Sequence, residues 1–225
     1  IHHLLTHSSG LKPFIRYYLD ENINSKEEVI ADILNQELLY PPGTDVKYSD
    51  LGLILLGAII EEVTGYSLDQ LVNRYVIDPL KLTNTSFCPD STLFSRISPT
   101  ELDTIYRRQL VHGVVHDENA FMLGGIVSHA GIFSTAKDLG NYAQLMLNEG
   151  VWRGRRLFSK WQIRRFTRRQ NMPSGSDRAI GWDTPSRDGK SSAGDKFSDS
   201  SYGHLGFTGT SMWIDPESNI IVILL

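Results

Sequence analysis

The stretch Pro41–Val63, PPGTDVKYSDLGLILLGAIIEEV, constrains this chain most, because it sets a polar turn directly against the most apolar helical segment in the sequence. Pro41, Pro42 and Gly43 are turn formers, Asp50 has the short carboxylate of an N-cap, and nearly every position from Leu51 to Val63 is apolar. A helix apolar on all faces is a buried one. At about 1.5 Å per residue this segment reaches roughly 20 Å, well short of the roughly 30 Å hydrocarbon core of a bilayer, so it is expected to be a core helix and not a membrane span. Tyr48 then stands just ahead of a buried helix N-terminus, where the helix dipole favours negative charge. This stretch alone favours a packing tyrosine with a satisfied hydroxyl; the other reading is a phenol of lowered pKa that acts as a proton acceptor.

The flanking segments supply scaffold. Ile1–His7 reads as a short helix closed at Ser8-Ser9-Gly10, with Gly10 as its left-handed cap. His3 and His7, four apart, put two imidazoles on one face, but no third metal ligand of suitable spacing follows nearby. Ser25 and Glu28 form a capping box for a helix through Val29, Ile33 and Leu38, and Ser67 caps another that Pro79 is expected to stop. Thr83 to His116 has poor periodicity and reads as a long irregular excursion. The dense polar cluster His116-Asp117-Glu118-Asn119 follows, then GGIVSHAGIFSTA, whose Gly124, Gly125 and Gly131 allow close backbone approach but fit neither a dinucleotide nor a P-loop fingerprint. Thr135 and Asp138 cap a helix with Leu139, Tyr142, Ala143 and Met146 on its apolar face.

Met172 to Ser201 reads as a mobile loop with a short strand at Ile180 to Trp182. The final residues read as a hairpin: one strand from Tyr202 to Ile214, a turn at Asp215 to Asn219, and a continuously apolar return strand from Ile220 that is expected to be central in its sheet.

At 225 residues and 40% hydrophobic composition the chain can bury a real core. Trp152 to Gln170 carries eight arginines and lysines and no acid. In a chain of net charge −4 that leaves −12 on the remainder, so a solvated helix face is favoured over a polyanion site, and no nucleic-acid partner is expected. Cys88 is alone, which excludes an intrachain disulfide. The chain opens on Ile1 and stops within the strand-like IIVILL, and it is expected to be a fragment cut at both ends.

Four segments in order, IHHLLTHSSGL, PPGTDVKYSD, GGIVSHAGIFSTAKDL and HLGFTGTSMWIDP, resemble the serine hydrolases that include class C β-lactamases, penicillin-binding proteins and related esterases. The likeness spans nearly the whole chain. It implies an α/β (α+β) fold of the β-lactamase/transpeptidase type, an antiparallel sheet flanked by helices with a mainly helical lobe at about 20–175 and sheet residues at about 178–225.

In that family catalysis runs through an acyl-enzyme built by Ser-x-x-Lys, Tyr-x-Asn and Lys-Thr-Gly or His-x-Gly motifs. The resemblance assigns Tyr48 as the proton-transfer residue, His204 and Gly206 to the third motif, and the Phe207 N–H to the oxyanion hole. Asp50 stands where asparagine is usual, which replaces an amide donor by a carboxylate. His204 and Asp50 are expected to converge on Tyr48. The family places its Ser-x-x-Lys helix before the LLTHSSGL segment, so the nucleophile is expected to lie outside this chain, which would be inactive alone. No cofactor and no metal are implied. The partner is a small-molecule or peptide acyl substrate, and an extracytoplasmic location follows from the likeness. A catalytically silent cell-wall or ligand-binding module of the same fold is the alternative, with Asp50 in its favour.

Overall fold

The computed structural model describes residues 1–187 and 191–225; part of the loop expected at Met172 to Ser201 therefore lies outside the described residues. The helices are α1 (His2–Leu5), α2 (Lys26–Asn35), α3 (Asp50–Thr64), α4 (Leu68–Val72), α5 (Asp78–Leu80), α6 (Glu118–Met122), α7 (Ala136–Leu147) and α8 (Lys160–Thr167). Three two-residue strand pairs punctuate the excursions: β1 (Ser86–Phe87) with β4 (Ile132–Phe133), β2 (Leu102–Asp103) with β3 (Gln109–Leu110), and β5 (Val151–Trp152) with β6 (Arg155–Arg156), all antiparallel. The C-terminal part is a meander of β7 (Tyr202–Leu205), β8 (Ser211–Asp215) and β9 (Ile220–Leu224).

Helix α3 is the centre of the first core. Ser49, not Asp50, is its N-cap: the Ser49 hydroxyl accepts from the Gly52 N–H at 3.2 Å and donates to the Lys12 carbonyl at 2.7 Å. Gly65, at φ +70°, closes the other end. Leu51, Ile54 and Leu56 are buried with Leu4, Val29 and Ile33, and each such side chain contributes about 1.5–3 kcal/mol. Burial is confined to the first three turns; Glu62, Val63 and Thr64 are exposed, so apolarity on all faces does not here mean burial along the whole length.

Two expected helix ends fall elsewhere. α1 stops at Thr6, whose N–H and hydroxyl both bond the His2 carbonyl, and the next residue, His7, takes the left-handed conformation at φ +53°. Gly10 is left-handed for another reason: a side chain there would collide with the Tyr40 carbonyl. Pro79 does not stop the second helix. A π turn at Asn73–Ile77 shifts the register, Pro79 falls in the first turn of α5, where its missing N–H costs nothing, and Lys81 at φ +55° ends the run. By length and composition no single helix among the described residues could cross a membrane; α3 and the run Leu68–Leu80 could only as a pair bent by 78°.

The second core joins Ala143 and Met146 of α7, Ile163 of α8, Tyr202 and Ile214. The expected long strand Tyr202–Ile214 is two strands, because the chain reverses at Gly206–Thr210: the Gly206 N–H reaches the Thr210 carbonyl at 2.7 Å and Gly209 sits at φ +87°. Consequently β8 is central and β9, with Ile220, Val222 and Leu224 exposed, forms an edge of the described sheet. Instead of a strand at Ile180–Trp182 there are single bridges from Asp183 to Arg178 and to Gly203, around a turn at Gly181.

Members of the arginine-rich run are engaged locally. Lys160 and Arg164 hold Glu149, and Arg169 pairs with Asp177.

Candidate active site

The backbone around Tyr48 is stitched to the segment after α1. The Lys47 N–H donates to the His7 carbonyl at 2.9 Å, the Ser49 N–H to His7 Nδ1 at 3.1 Å, and the Asp50 N–H to the Pro13 carbonyl at 2.9 Å. Accepting at Nδ1 leaves His7 as the Nε2–H tautomer, its ring 4.2 Å from that of Tyr48. Burial first, and then the positive charge of Arg178 nearby, push the His7 pKa down to about 3.

Tyr48 itself is half-buried, 38% exposed. Its phenol is pushed up to about 12, first by burial and then by the Asp50 carboxylate, with Arg178 opposing. A phenol of lowered pKa is therefore not what these surroundings give, since burial and the Asp50 charge both favour its neutral form. The Arg178 guanidinium lies 5.5 Å from the Tyr48 ring centroid and is paired with Asp183. The His204 ring is 6.0 Å from Tyr48, at 45°. His204 Nδ1 is 2.6 Å from the Leu205 carbonyl, which can only accept, so Nδ1 carries a proton and Nε2 is the acceptor of the neutral ring.

Asp50 is placed differently from expectation. Because Ser49 does the capping, the Asp50 carboxylate is released from the helix end. Its pKa is raised by burial, and the side chains whose charges act on it are His129, which lowers it, and Asp117, which raises it. His129 Nε2 lies 3.1 Å from Asp117 Oδ1, and Asp117 is the N-cap of α6, accepting from the Ala120 N–H at 2.7 Å.

The polar cluster at His116–Asn119 is a hub between this site and its surroundings. Asn119, fully buried, donates to the Ile15 carbonyl at 2.8 Å and accepts from the Tyr18 N–H at 3.3 Å. The His116 ring stacks on Phe207 at 5.0 Å and its Nε2 is 2.9 Å from Glu101. Phe207 is 70% exposed, at the head of the turn after β7. Gly206 is required by the turn, since a side chain there would collide with the Thr210 hydroxyl.

Ser-x-x-Lys spacing does occur within the chain, at Ser9–Lys12 and Ser134–Lys137. Neither pair forms the motif's unit, which needs both side chains one helical turn apart. Residues 9–12 are non-helical, and the Lys12 ammonium donates to Gln36 at 2.7 Å. Ser134 precedes α7 and bonds Thr85 at 2.8 Å, while Lys137 lies within the helix. His3 and His7 do not share a ligand: His3 bonds Ser8 at 3.0 Å, and no group of three or more possible metal-holding side chains occurs among the described residues.

His7, Arg178, Asp117 and His129 were not singled out from the sequence as site residues. Asp117 lies in the polar cluster His116–Asn119 and His129 in the segment GGIVSHAGIFSTAKDL, but nothing in their spacing tells that the two loops meet.

The family model described as Beta-lactamase matches residues 1–225. A Bacillus subtilis protein named N-acetylmuramyl-L-alanine amidase is 34% identical over 246 residues, covering 99% of this chain and 54% of that protein. A Salmonella typhi protein provisionally named D-alanyl-D-alanine carboxypeptidase is 33% identical over 245 residues, covering 99% of this chain and 55% of that protein. The chain thus spans about half the length of the curated relatives it matches. Among solved structures, the octameric penicillin-binding protein homologue from Pyrococcus abyssi has a TM-score of 0.70 at 25% identity, over 99% of this chain and 50% of that one. EstCE1, a hydrolase with promiscuous acyltransferase activity, has a TM-score of 0.71 at 19% identity, over 99% and 65%.

Proposed function

Because the chain belongs to the β-lactamase family and shares its fold, we propose that it carries the proton-transfer and oxyanion half of a serine acyl-hydrolase site. The observation that supports this reading is the juxtaposition of Tyr48 with His204, 6.0 Å ring to ring, beside the Gly206–Phe207 turn. The nucleophile is a serine of a Ser-x-x-Lys helix elsewhere in the protein. With a phenol pKa of about 12, roughly one Tyr48 in 10⁵ is ionised at pH 7, so Tyr48 works as a relay and not as a standing base. It takes the serine's proton while passing its own to a neighbouring acceptor, a role this reading gives to His204 Nε2. The Phe207 N–H, which takes no part in the two bonds closing the turn, donates to the oxyanion.

The substrate is an amide of a cell-wall-type peptide. Two relatives are named for such chemistry, one an amidase and one a D-alanyl carboxypeptidase. An enzyme with that substrate acts outside the cytoplasm. The test is covalent labelling of the full-length protein with a β-lactam or a fluorophosphonate, followed by mapping of the modified residue. Label on a serine of a helical Ser-x-x-Lys outside these 225 residues, lost with Tyr48→Phe, is the expected result. Label on Ser9 or Ser134, or none with any acylating probe, would defeat the proposal.

A further inference from the structure

Phe207 stands exposed at the head of the turn after β7, and its aromatic contact among the described residues is the His116 imidazole, stacked on it at 5.0 Å and 29°. The turn itself gives the residue little support. The peptide plane that carries the Phe207 N–H is held on its carbonyl side alone, where the Gly206 carbonyl accepts from the Gly209 N–H at 3.1 Å. Both residues of that bond are glycines, which leave the backbone on either side of Phe207 free to turn.

His116, by contrast, is fixed from several sides. Its carbonyl accepts from Arg107 Nη2 at 2.6 Å, and that buried guanidinium lies 4.7 Å from the ring centroid of Phe121 on α6. Its ring Nε2 is 2.9 Å from Glu101 Oε1. Glu101 is held in turn beside β2, where its carbonyl accepts from the N–H of buried Val111 at 2.8 Å. The next residue in the chain, Asp117, caps α6. The imidazole is therefore a backed surface, and the ring of a loosely held turn lies against it.

We propose that His116 is a positioning residue: by stacking on Phe207 it fixes the turn, so that the Phe207 N–H keeps the one direction in which it donates to the oxyanion. The inference rests on the acyl-hydrolase reading for the role of that N–H; the hold of His116 on the turn is testable without it. A donor already aimed needs no reorganisation when charge develops on the reacting oxygen, whereas a mobile turn has to be ordered in every turnover. Because that charge exists only near the transition state, the hold acts on the rate of acylation and not on ground-state binding. The contact is made through a ring face, so any aromatic side chain at position 116 supplies it.

The test uses the full-length protein. The Phe207 backbone amide is followed by NMR relaxation, and its order parameter should fall from about 0.85 toward about 0.6 in His116→Ala and recover in His116→Phe. Phe207→Ala, a change at an exposed position, breaks the same stack from the other side and should mobilise the amide equally. With a chromogenic β-lactam as the kinetic probe, His116→Ala should lower the maximal acylation rate about 3- to 10-fold, the range that one aromatic pair spans, with the half-saturating concentration unchanged. That is short of the roughly 10²- to 10³-fold that a whole oxyanion donor is worth. His116→Phe should restore the rate, and His116→Ala should cost nothing more in the Phe207→Ala background. An order parameter unmoved in both alanine variants would overturn the hold. A mobilised amide with unchanged acylation, or an equal loss in the Phe207→Ala background, would overturn its effect on catalysis. If the wild type itself is not acylated, it is the functional reading that fails, and the order parameters still decide whether His116 fixes the turn.

Discussion

His7 and Tyr48 are packed ring against ring at 4.2 Å, and the same His7 imidazole accepts the backbone N–H of Ser49, the residue that caps α3. One side chain thus fixes both the proton-transfer candidate and the start of the helix behind it. His7→Ala should leave the Ser49 N–H without an acceptor and cost about 1–3 kcal/mol, read as a lowered denaturation midpoint. His7→Asn, which tolerates the left-handed backbone and retains an acceptor, should recover part of that loss.

The same contact predicts an acid limit. The His7 pKa is lowered in the fold to about 3, from an unfolded value of about 6.5. The folded state therefore binds fewer protons than the unfolded one between these values. The stabilisation is whole above about pH 6.5 and is lost as pH falls toward 3, at up to about 1.4 kcal/mol per pH unit. Denaturant melts at pH 7, 5 and 4 should show the loss in the wild type and a shallower dependence in His7→Asn. Identical slopes would remove His7 as its cause.

Tyr48→Phe in the full-length protein should lower turnover about 10²- to 10⁴-fold with little change in substrate binding, since the ring contacts with His7, Arg178 and His204 remain. Turnover equal to wild type would return Tyr48 to a packing role.

Gly57→Ala should destabilise by about 1–3 kcal/mol although alanine is the better helix former, because the added carbon collides with the Ser128 hydroxyl and displaces the loop that carries His129. Gly140→Ala in α7 is the control, as open space surrounds that position. Stabilisation by both substitutions would mean that the Ser128 contact is dispensable.

Asp215 anchors the sheet end of the chain. Its carboxylate accepts from the Ser198 N–H and hydroxyl and from the Glu217 and Ser218 N–H groups, and its pKa lies far below the usual carboxylate range: burial would raise it, and these donors together more than reverse that. The sign is that of a depressed acid: stabilisation present above about pH 4 and lost only as pH falls toward the folded pKa. Asp215→Asn should cost about 1–3 kcal/mol at pH 7 and progressively less in strong acid, checked by thermal melts across that range. A constant cost at every pH would contradict the assignment.

The local signals were legible where short-range chemistry decides them. Ser25 with Glu28 and Thr135 with Asp138 cap helices as their spacing indicates, and the four ordered segments identify the family. Helix and strand ends were less legible. Pro79 reads as a terminator, yet the π turn before it makes room, and Gly206–Thr210 breaks what looks like one strand because Thr210 closes onto Gly206. One proximity was readable because two motifs carry it: the rings of Tyr48 and His204, far apart in the chain, lie 6.0 Å from each other.

What the amino-acid sequence determined by itself was the family and the apolar helix after Tyr48, both of which depend on residues close together in the chain. Tertiary structure alone decided the electrostatics. A phenol at a helix start reads as acidified until burial and Asp50 are placed around it, and nothing around Asp50 in the sequence tells that the charges of His129 and Asp117 bear on it. Charge and desolvation act through space over a few ångströms, and the groups that supply them here come from segments tens of residues apart, so no spacing in the sequence records their distance.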